Sequence, residues 1–296
     1  MSKIAKAYRR YLAGMRVSAL LRPHELKYAA AYAWTTLASP RIFEKALVQS
    51  QMQSCAPHLS KEVATAWRDY LWHASANTLN TYLYPAMTSA WLDNVYEVRG
   101  EENLRTAQQK GSGVLVLSAH QHSLMLIAVA IGLLQLPVHA ILMNPRLTAP
   151  DFLEVYAEQA LRGSTAHFNG GEYIFVDYGG AFVRPVYRAF QAGSVVLSAN
   201  DFPASLAPKR RQVLPFLGRK ISCPTGSVEI AIQREAAIVP CFVRRERGRL
   251  LIEFYPELHG NTRQIMVAYG QLLEATVRAD PGGWEGWKWP DVFDVT

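Results

Sequence analysis

The pattern of apolar and polar positions changes near residue 95. Before it, Ala, Leu, Lys and Arg dominate residues 4–21, with basic positions interrupting Ile4, Tyr8, Tyr11, Leu12 and Val17. Residues 25–53 and 60–92 are again Ala-rich, and Trp34, Trp67, Trp72 and Trp91 are spaced as core anchors. This texture predicts helices. Beyond residue 95, short β-branched runs alternate with helical stretches. Strands are expected over 114–119, 137–143, 194–199, 237–243 and 250–255, and helices over 123–134, 150–162, 182–192, 225–235 and 262–278. The alternation predicts an α/β fold, a sheet flanked by helices with a helical N-terminal region. The expected organisation is a helical region, 1–94, packed on an α/β core, 95–296.

Residues 114–126, VLVLSAHQHSLML, combine an alternating apolar run, a polar corner and a second apolar stretch. His120 follows the C-terminal end of a strand, where open α/β sheets gather their ligands. A histidine acting as a base usually has a carboxylate to orient it, yet no Asp or Glu lies between Leu115 and Pro150. Three readings stand at this point: a general base, a structural histidine capping the helix, or a metal ligand together with His122. The metal reading lacks a clear third ligand, so no metal is assigned.

Residues 198–227, SANDFPASLAPKRRQVLPFLGRKISCPTGS, form a second constellation. A strand ends in Asn200 and Asp201, a basic loop with Lys209, Arg210 and Arg211 follows, and Thr225, Gly226 and Ser227 open a helix. Free N–H groups at a helix start can hold an anion. The segment reads either as a grip on a phosphate-bearing substrate or as a solvated basic loop with an ordinary cap.

Composition narrows the class. Half of the 296 residues are hydrophobic, so a substantial core is expected and wholesale disorder is excluded. The formal charge of +7 favours an anionic partner, such as a phospholipid surface, a nucleic acid or an acidic carrier protein. No recognition helix, RNP-like aromatic pattern or zinc site accompanies the basic clusters, so nucleic acid is set aside. Cys55, Cys223 and Cys241 have no metal-ligand spacing and point to a reducing compartment without disulfides. The longest apolar block, Leu124–Leu134, is too short to cross a bilayer. A cytoplasmic protein is expected, either free or peripheral on the inner membrane through its basic N-terminus and that apolar helix.

VLVLSAHQH, NPRLTAPDFLEVYAEQALRG, RPVYRAFQAGSVVLSANDFPA, VLPFLGRKISCPTGSVEIAIQREAAIVPCFVRR and DPGGWEGWKW follow one another in a meaningful order. Over roughly residues 95–290 the chain resembles the late acyltransferases of lipid A biosynthesis, within the glycerolipid and lysophospholipid acyltransferases. The resemblance implies transfer of an acyl group from a thioester, usually on acyl carrier protein or a carrier domain, to a hydroxyl or amine. It implies no cofactor, and it makes His120 the base. The acceptor is either a lipid or glycolipid at the membrane or a small molecule of a specialised pathway. Arg162 matches a family arginine near the site, and Arg146 is a further candidate anion contact. His122, Met125, Asn200, Gly218, Thr225 and Gly226 complete the candidate substrate-binding set.

The family's acidic residue, five positions after the histidine, is here Met125. Three explanations stand open. A carboxylate from elsewhere, Asp201 first among them, takes over; an amine acceptor needs less base assistance; or the chain only binds lipid or carrier. Trp284, Trp287 and Trp289 match the family's C-terminal tail and are read as packing residues.

Overall fold

The structure, a computed structural model, describes residues 3–22, 24–91, 96–143, 161–176, 182–205, 209–246 and 248–293. Four helices come first: α1 (Lys3–Ala19), α2 (His24–Ile42), α3 (Lys45–Ser54) and α4 (Val63–Leu83). In α4, Ala66, Trp67, Tyr70, Leu71, Ala76 and Leu79 recur at helical spacing and are buried. One stripe of the helix therefore faces the core.

A seven-stranded sheet follows, in the order β1-β9-β8-β2-β5-β3-β4. Its members are β1 (Tyr96–Arg99), β2 (Val114–Ser118), β3 (Val138–Met143), β4 (Tyr173–Val176), β5 (Val195–Ala199), β8 (Ala237–Glu246) and β9 (Arg249–Phe254). All neighbours pair in parallel except β8 and β9, which form an antiparallel hairpin. Strands β6 (Arg211–Phe216) and β7 (Arg219–Pro224) make a separate hairpin. Leu217 and Gly218 turn it with φ of 49° and 73°, the two left-handed residues that a tight hairpin turn demands.

The helices of this part are α5 (Glu101–Gln108), α6 (Met125–Leu133), α7 (Val183–Gln191), α8 (Gly226–Gln233) and α9 (Thr262–Ala279). The expected strands, and four of the five expected helices, are present with small shifts at their ends. The fifth helix, expected over 150–162, lies almost wholly outside the described residues. Strands β1 and β4 and the β6–β7 hairpin were not anticipated. β1 and β4 are four residues long, too short to carry a periodicity. In the hairpin, Pro and basic residues hide the alternation.

Every residue of β2 and β5 is buried, because helices cover both faces of the sheet. Leu115, Leu117 and Ala119 enter one apolar cluster, with Trp67, Phe216, Tyr269 and Trp284. Val114 and Val116 enter the other, with Tyr11, Met15 and Leu79 from the N-terminal helices. Helix α6 lies in that second cluster, with Leu126, Ile127, Val129 and Ile131 fully buried. The expectation that this apolar helix docks on a membrane is therefore overturned: its hydrophobic surface is spent on the core. Among the described residues, no helix is long and apolar enough to cross a membrane.

Candidate active site

The register of the sheet places the site. Strands β2 and β5 run parallel with Ser118 opposite Ala199. Two residues further along each strand come His120 and Asp201, so chains 81 residues apart in sequence leave the sheet at the same level. His120 Nδ1 lies 2.6 Å from Asp201 Oδ1. Its backbone N–H donates to Asp201 Oδ2 at 2.9 Å. The carboxylate side chain is fully enclosed, while the His120 side chain retains 16% exposure.

Asp201 Oδ2 has a second donor, the indole N–H of Trp284 at 2.9 Å. A buried carboxylate needs such donors to remain charged, and a charged one keeps the proton of a neutral His120 on Nδ1. Nε2 is then the nitrogen left with a lone pair. Phe202 and Trp289 stand edge-on to the ring, with centroids at 4.4 and 5.3 Å. Phe202 is itself held, since its carbonyl accepts from the Arg211 guanidinium at 2.6 Å.

The corner after β2 is tied to the C-terminal tail. Gln121 bridges to Trp284. The N–H of His122 donates to the Gly283 carbonyl at 2.7 Å, and that of Glu285 to the His120 carbonyl at 2.8 Å. His122 sits at φ 44°, a left-handed conformation that turns the chain sharply. A side chain at Gly283 would place Cβ 2.3 Å from His122 Nε2, so only glycine fits there.

His122 turns to a different carboxylate: its Nε2 lies 2.6 Å from Asp280 Oδ2, with both side chains buried. Burial alone would raise the Asp280 pKa, but the His122 charge and hydrogen bond, the Arg245 N–H and Lys61 outweigh it and hold the carboxyl well below the usual range. The His73 ring stands edge-on to His122 at 5.2 Å. Burial pushes His73 below its ordinary value of 6.5, outweighing the Glu285 carboxylate beside it.

The other candidates fall into three groups. Asn200 is committed to protein partners: its amide donates to the Pro224 carbonyl at 2.8 Å and to Ser227 Oγ at 3.0 Å, and its oxygen accepts from Ser198. Gly218 serves a close approach, since a Cβ there would meet His58 Nε2 at 2.2 Å. Met125 is half-buried against the apolar cluster that holds α6. His122, Asn200 and Gly218 thus have supporting placements rather than substrate-facing ones.

The start of α8 already carries an acid. The Thr225 hydroxyl lies 2.6 Å from Glu229 Oε1 and 2.9 Å from the Arg210 carbonyl, and Arg210 pairs with Glu229 at 3.0 Å. That carboxylate suits the helix dipole and repels an incoming anion, although the space beside Gly226 is open. Arg162 is exposed, and Arg146 lies outside the described residues.

Sequence reasoning missed Trp284, Phe202, His73 and Asp280 as site-building residues. Trp284 and Trp287 are fully buried, as packing residues should be. The tail's alternation of tryptophan with glycine was the available signal for Trp284. A packing role and a polar role coexist in its indole.

Trp284→Phe keeps an aromatic ring in the core and removes the donor. A hydrogen bond to a charged group contributes about 1.5–3 kcal/mol. His120 N–H remains on Oδ2, so the lower end is expected: a fall in kcat of about tenfold with little change in KM, read from steady-state kinetics. A second expectation concerns pH. A histidine held neutral by burial leaves the unfolded chain binding more protons below pH 6.5, so folding stability falls on acidification from that value. The slope is at most about 1.4 kcal/mol per pH unit. His73→Phe should flatten it in denaturant titrations between pH 7.5 and 5.

A mostly parallel sheet flanked by helices, with a histidine–carboxylate pair beyond its C-terminal edge, defines an α/β protein. The family model of bacterial lipid A biosynthesis acyltransferases matches residues 11–289. The chain belongs to that family, and the family makes it an acyltransferase of the lipid A acyltransferase kind. Comparison with curated proteins gave no match.

Proposed function

We propose that the protein transfers an acyl or aminoacyl group from a carrier-protein thioester to a hydroxyl or amine, with His120 as general base and Asp201 as the carboxylate that orients it. The observation that carries this reading is the 2.6 Å contact between His120 Nδ1 and Asp201 Oδ1. It supports the first of the three explanations for Met125: the acid has moved to the neighbouring strand. A retired site would have no need of a carboxylate held by two N–H donors beneath the ring.

The chemistry follows from that arrangement. The acceptor's O–H or N–H gives its proton to His120 Nε2 as its oxygen or nitrogen attacks the thioester carbonyl. The new C–O or C–N bond forms, the C–S bond breaks, and the imidazolium returns the proton to the departing thiolate of the carrier. Asp201 stabilises the imidazolium between these steps without itself taking the proton. General-base catalysis of this kind contributes about 10²–10⁴-fold. In this reading the helical region 1–94 supports the corner from behind, and the acyltransferase core runs from 95 to 296. Arg162 and Arg146 are assigned to meet the acidic carrier or a phosphate of the acceptor.

The test is intact-protein mass spectrometry of acyl carrier proteins loaded with different acyl and aminoacyl groups. Each is incubated with the protein or its His120→Ala variant, with membrane extract or with a pool of small amines and alcohols. Unloading that requires both His120 and one acceptor pool is expected, and it assigns the acceptor class at the same time. Carriers that all stay loaded would leave a non-catalytic carrier- or lipid-binding protein as the reading.

A further inference from the structure

His120 Nδ1 is committed to Asp201, so proton transfer falls to Nε2, and what surrounds the ring decides which molecule it can activate. Phe202 and Trp289 flank the imidazole, with ring centroids at 4.4 and 5.3 Å. They also meet each other, with centroids 6.0 Å apart and planes tilted by 34°. The three rings form a closed group, and the His120 side chain keeps only 16% exposure.

Core packing does not account for this placement. Phe202 enters neither apolar cluster of the core. It is half-buried, as Trp289 is, and the rings it meets are those of His120 and Trp289. Both aromatic residues are braced through their backbones. The Phe202 carbonyl accepts from Arg211. The Trp289 N–H donates to the Gly286 carbonyl at 3.1 Å, and the Gln51 amide of α3 donates to the Trp289 and Pro290 carbonyls at 3.4 and 3.3 Å. The Ser205 N–H donates to Asp291 Oδ2 at 3.3 Å, which ties the loop carrying Phe202 to the tail carrying Trp289. Two segments far apart in the chain are thus fastened together beside one histidine.

A base that takes a proton from an acceptor can also take one from water. Water attack forms a C–O bond to the thioester carbonyl and breaks the C–S bond, and the proton passes through Nε2 to the departing thiolate. The products are a free acid and an unloaded carrier. A transferase therefore gains when its base is kept from water until the acceptor is seated. A phenyl ring has no hydrogen-bonding atom, and an indole has a single N–H. An ordered water in a protein makes about three hydrogen bonds, and hydrocarbon on the flanks of the imidazole denies it those partners. An acceptor with hydrocarbon next to its hydroxyl or amine instead gains by burying that surface on the same rings.

We propose that Phe202 and Trp289 are specificity-determining residues that keep water from Nε2 of His120 and so favour the acceptor over hydrolysis. The proposal rests on the reading of His120 as the general base.

The test compares the full chain with its Phe202→Ala and Trp289→Ala variants in two measurements. In the first, each of the loaded acyl carrier proteins is incubated without acceptor, and free acid and unloaded carrier are followed by mass spectrometry. Each variant should hydrolyse the thioester at least tenfold faster than the parent. With acceptor present, the ratio of free acid to transferred product should rise as well. Adding His120→Ala to Trp289→Ala should abolish the gain, and Phe202→Leu, which keeps apolar bulk, should raise hydrolysis less than Phe202→Ala. A damaged site would lose hydrolysis along with transfer, so a gain reports an opened one.

The second measurement needs no substrate. Diethyl pyrocarbonate modifies a neutral imidazole nitrogen, and Nε2 is the one that Asp201 leaves open. Peptide mass spectrometry should show His120 modified at least tenfold faster in both variants, with circular dichroism checking that they fold. Modification at the parental rate would overturn the proposal. So would variants that divide the thioester between acceptor and water in the parent's proportion. Carriers that stay loaded with the parent and every variant, while modification accelerates, would support the shield and count against the transfer reading.

Discussion

Asp201→Asn is expected to lower kcat about 10⁴-fold, the loss seen when the orienting carboxylate of a comparable pair becomes an amide. The geometry explains why so conservative a change costs so much. Oδ2 of Asp201 receives two N–H donors, from His120 and Trp284. An asparagine must turn its carbonyl oxygen toward those donors, because its NH₂ group placed there would meet them head-on. The NH₂ group then takes the place of Oδ1 and points a donor at His120 Nδ1. The imidazole responds by moving its proton to Nε2, the atom required to accept one. Donor binding and the unfolding midpoint should change little, since volume and packing are preserved. Single-turnover kinetics with a loaded carrier measures the effect. Activity within tenfold of the parent would show that Asp201 does not orient the base.

Breaking the second histidine–aspartate pair should act on stability rather than directly on chemistry. Asp280→Ala removes the acceptor of His122 Nε2 and of the Arg245 N–H, the latter at 2.7 Å. His122 Nδ1 is already buried without a partner among the described residues, so the ring would lose its one hydrogen-bonded nitrogen contact. Removing one member of a buried ion pair costs about 3–5 kcal/mol, to be read from denaturant unfolding.

The acid dependence follows from the same pair. A carboxyl whose folded pKa is depressed contributes stability that is fully present above its unfolded value and is lost as pH falls through the folded one. Burial works against Asp280, and its partners win. In Glu285, too, burial is outweighed, by Lys288 and His73. The native protein should therefore lose stability steeply below about pH 4, and Asp280→Ala should blunt that limb. It is distinct from the His73 slope, which begins near the ordinary imidazole value. An unchanged unfolding free energy in Asp280→Ala would mean that the pair contributes nothing net, as some buried ion pairs do.

These two pairs show why a second histidine stands two residues after the first. In the chain, His120 and His122 look interchangeable. At the corner, the left-handed turn at His122 sends the two rings to different neighbours. One meets Asp201 and keeps partial exposure, and the other meets Asp280 with both side chains buried. Asp280 and Trp284 belong to one short tail segment, DPGGWEGWKW, which fastens the corner and completes the hydrogen bonds of Asp201. The tail is thus part of the site, although its tryptophans also pack as the aromatic spacing suggested.

The chain by itself determined much of the scaffold. Short continuous apolar runs and helical stretches located the central strands and most of their helices, because parallel strands covered on both faces must be apolar nearly throughout. The strand-end position of His120 was legible for the same reason. The family motifs were legible because they are local in sequence.

What only the tertiary structure decided depends on register. The partner of His120 comes from a strand 81 residues away, brought level by the pairing of Ser118 with Ala199. No pattern within either segment encodes that alignment. The fate of apolar surface was equally undecidable from the chain, where α6 and α2 both offered hydrophobic faces. Packing against the sheet consumed the first and left Leu26 and Leu37 of the second exposed, and a face's burial is set by its neighbours rather than by its own residues.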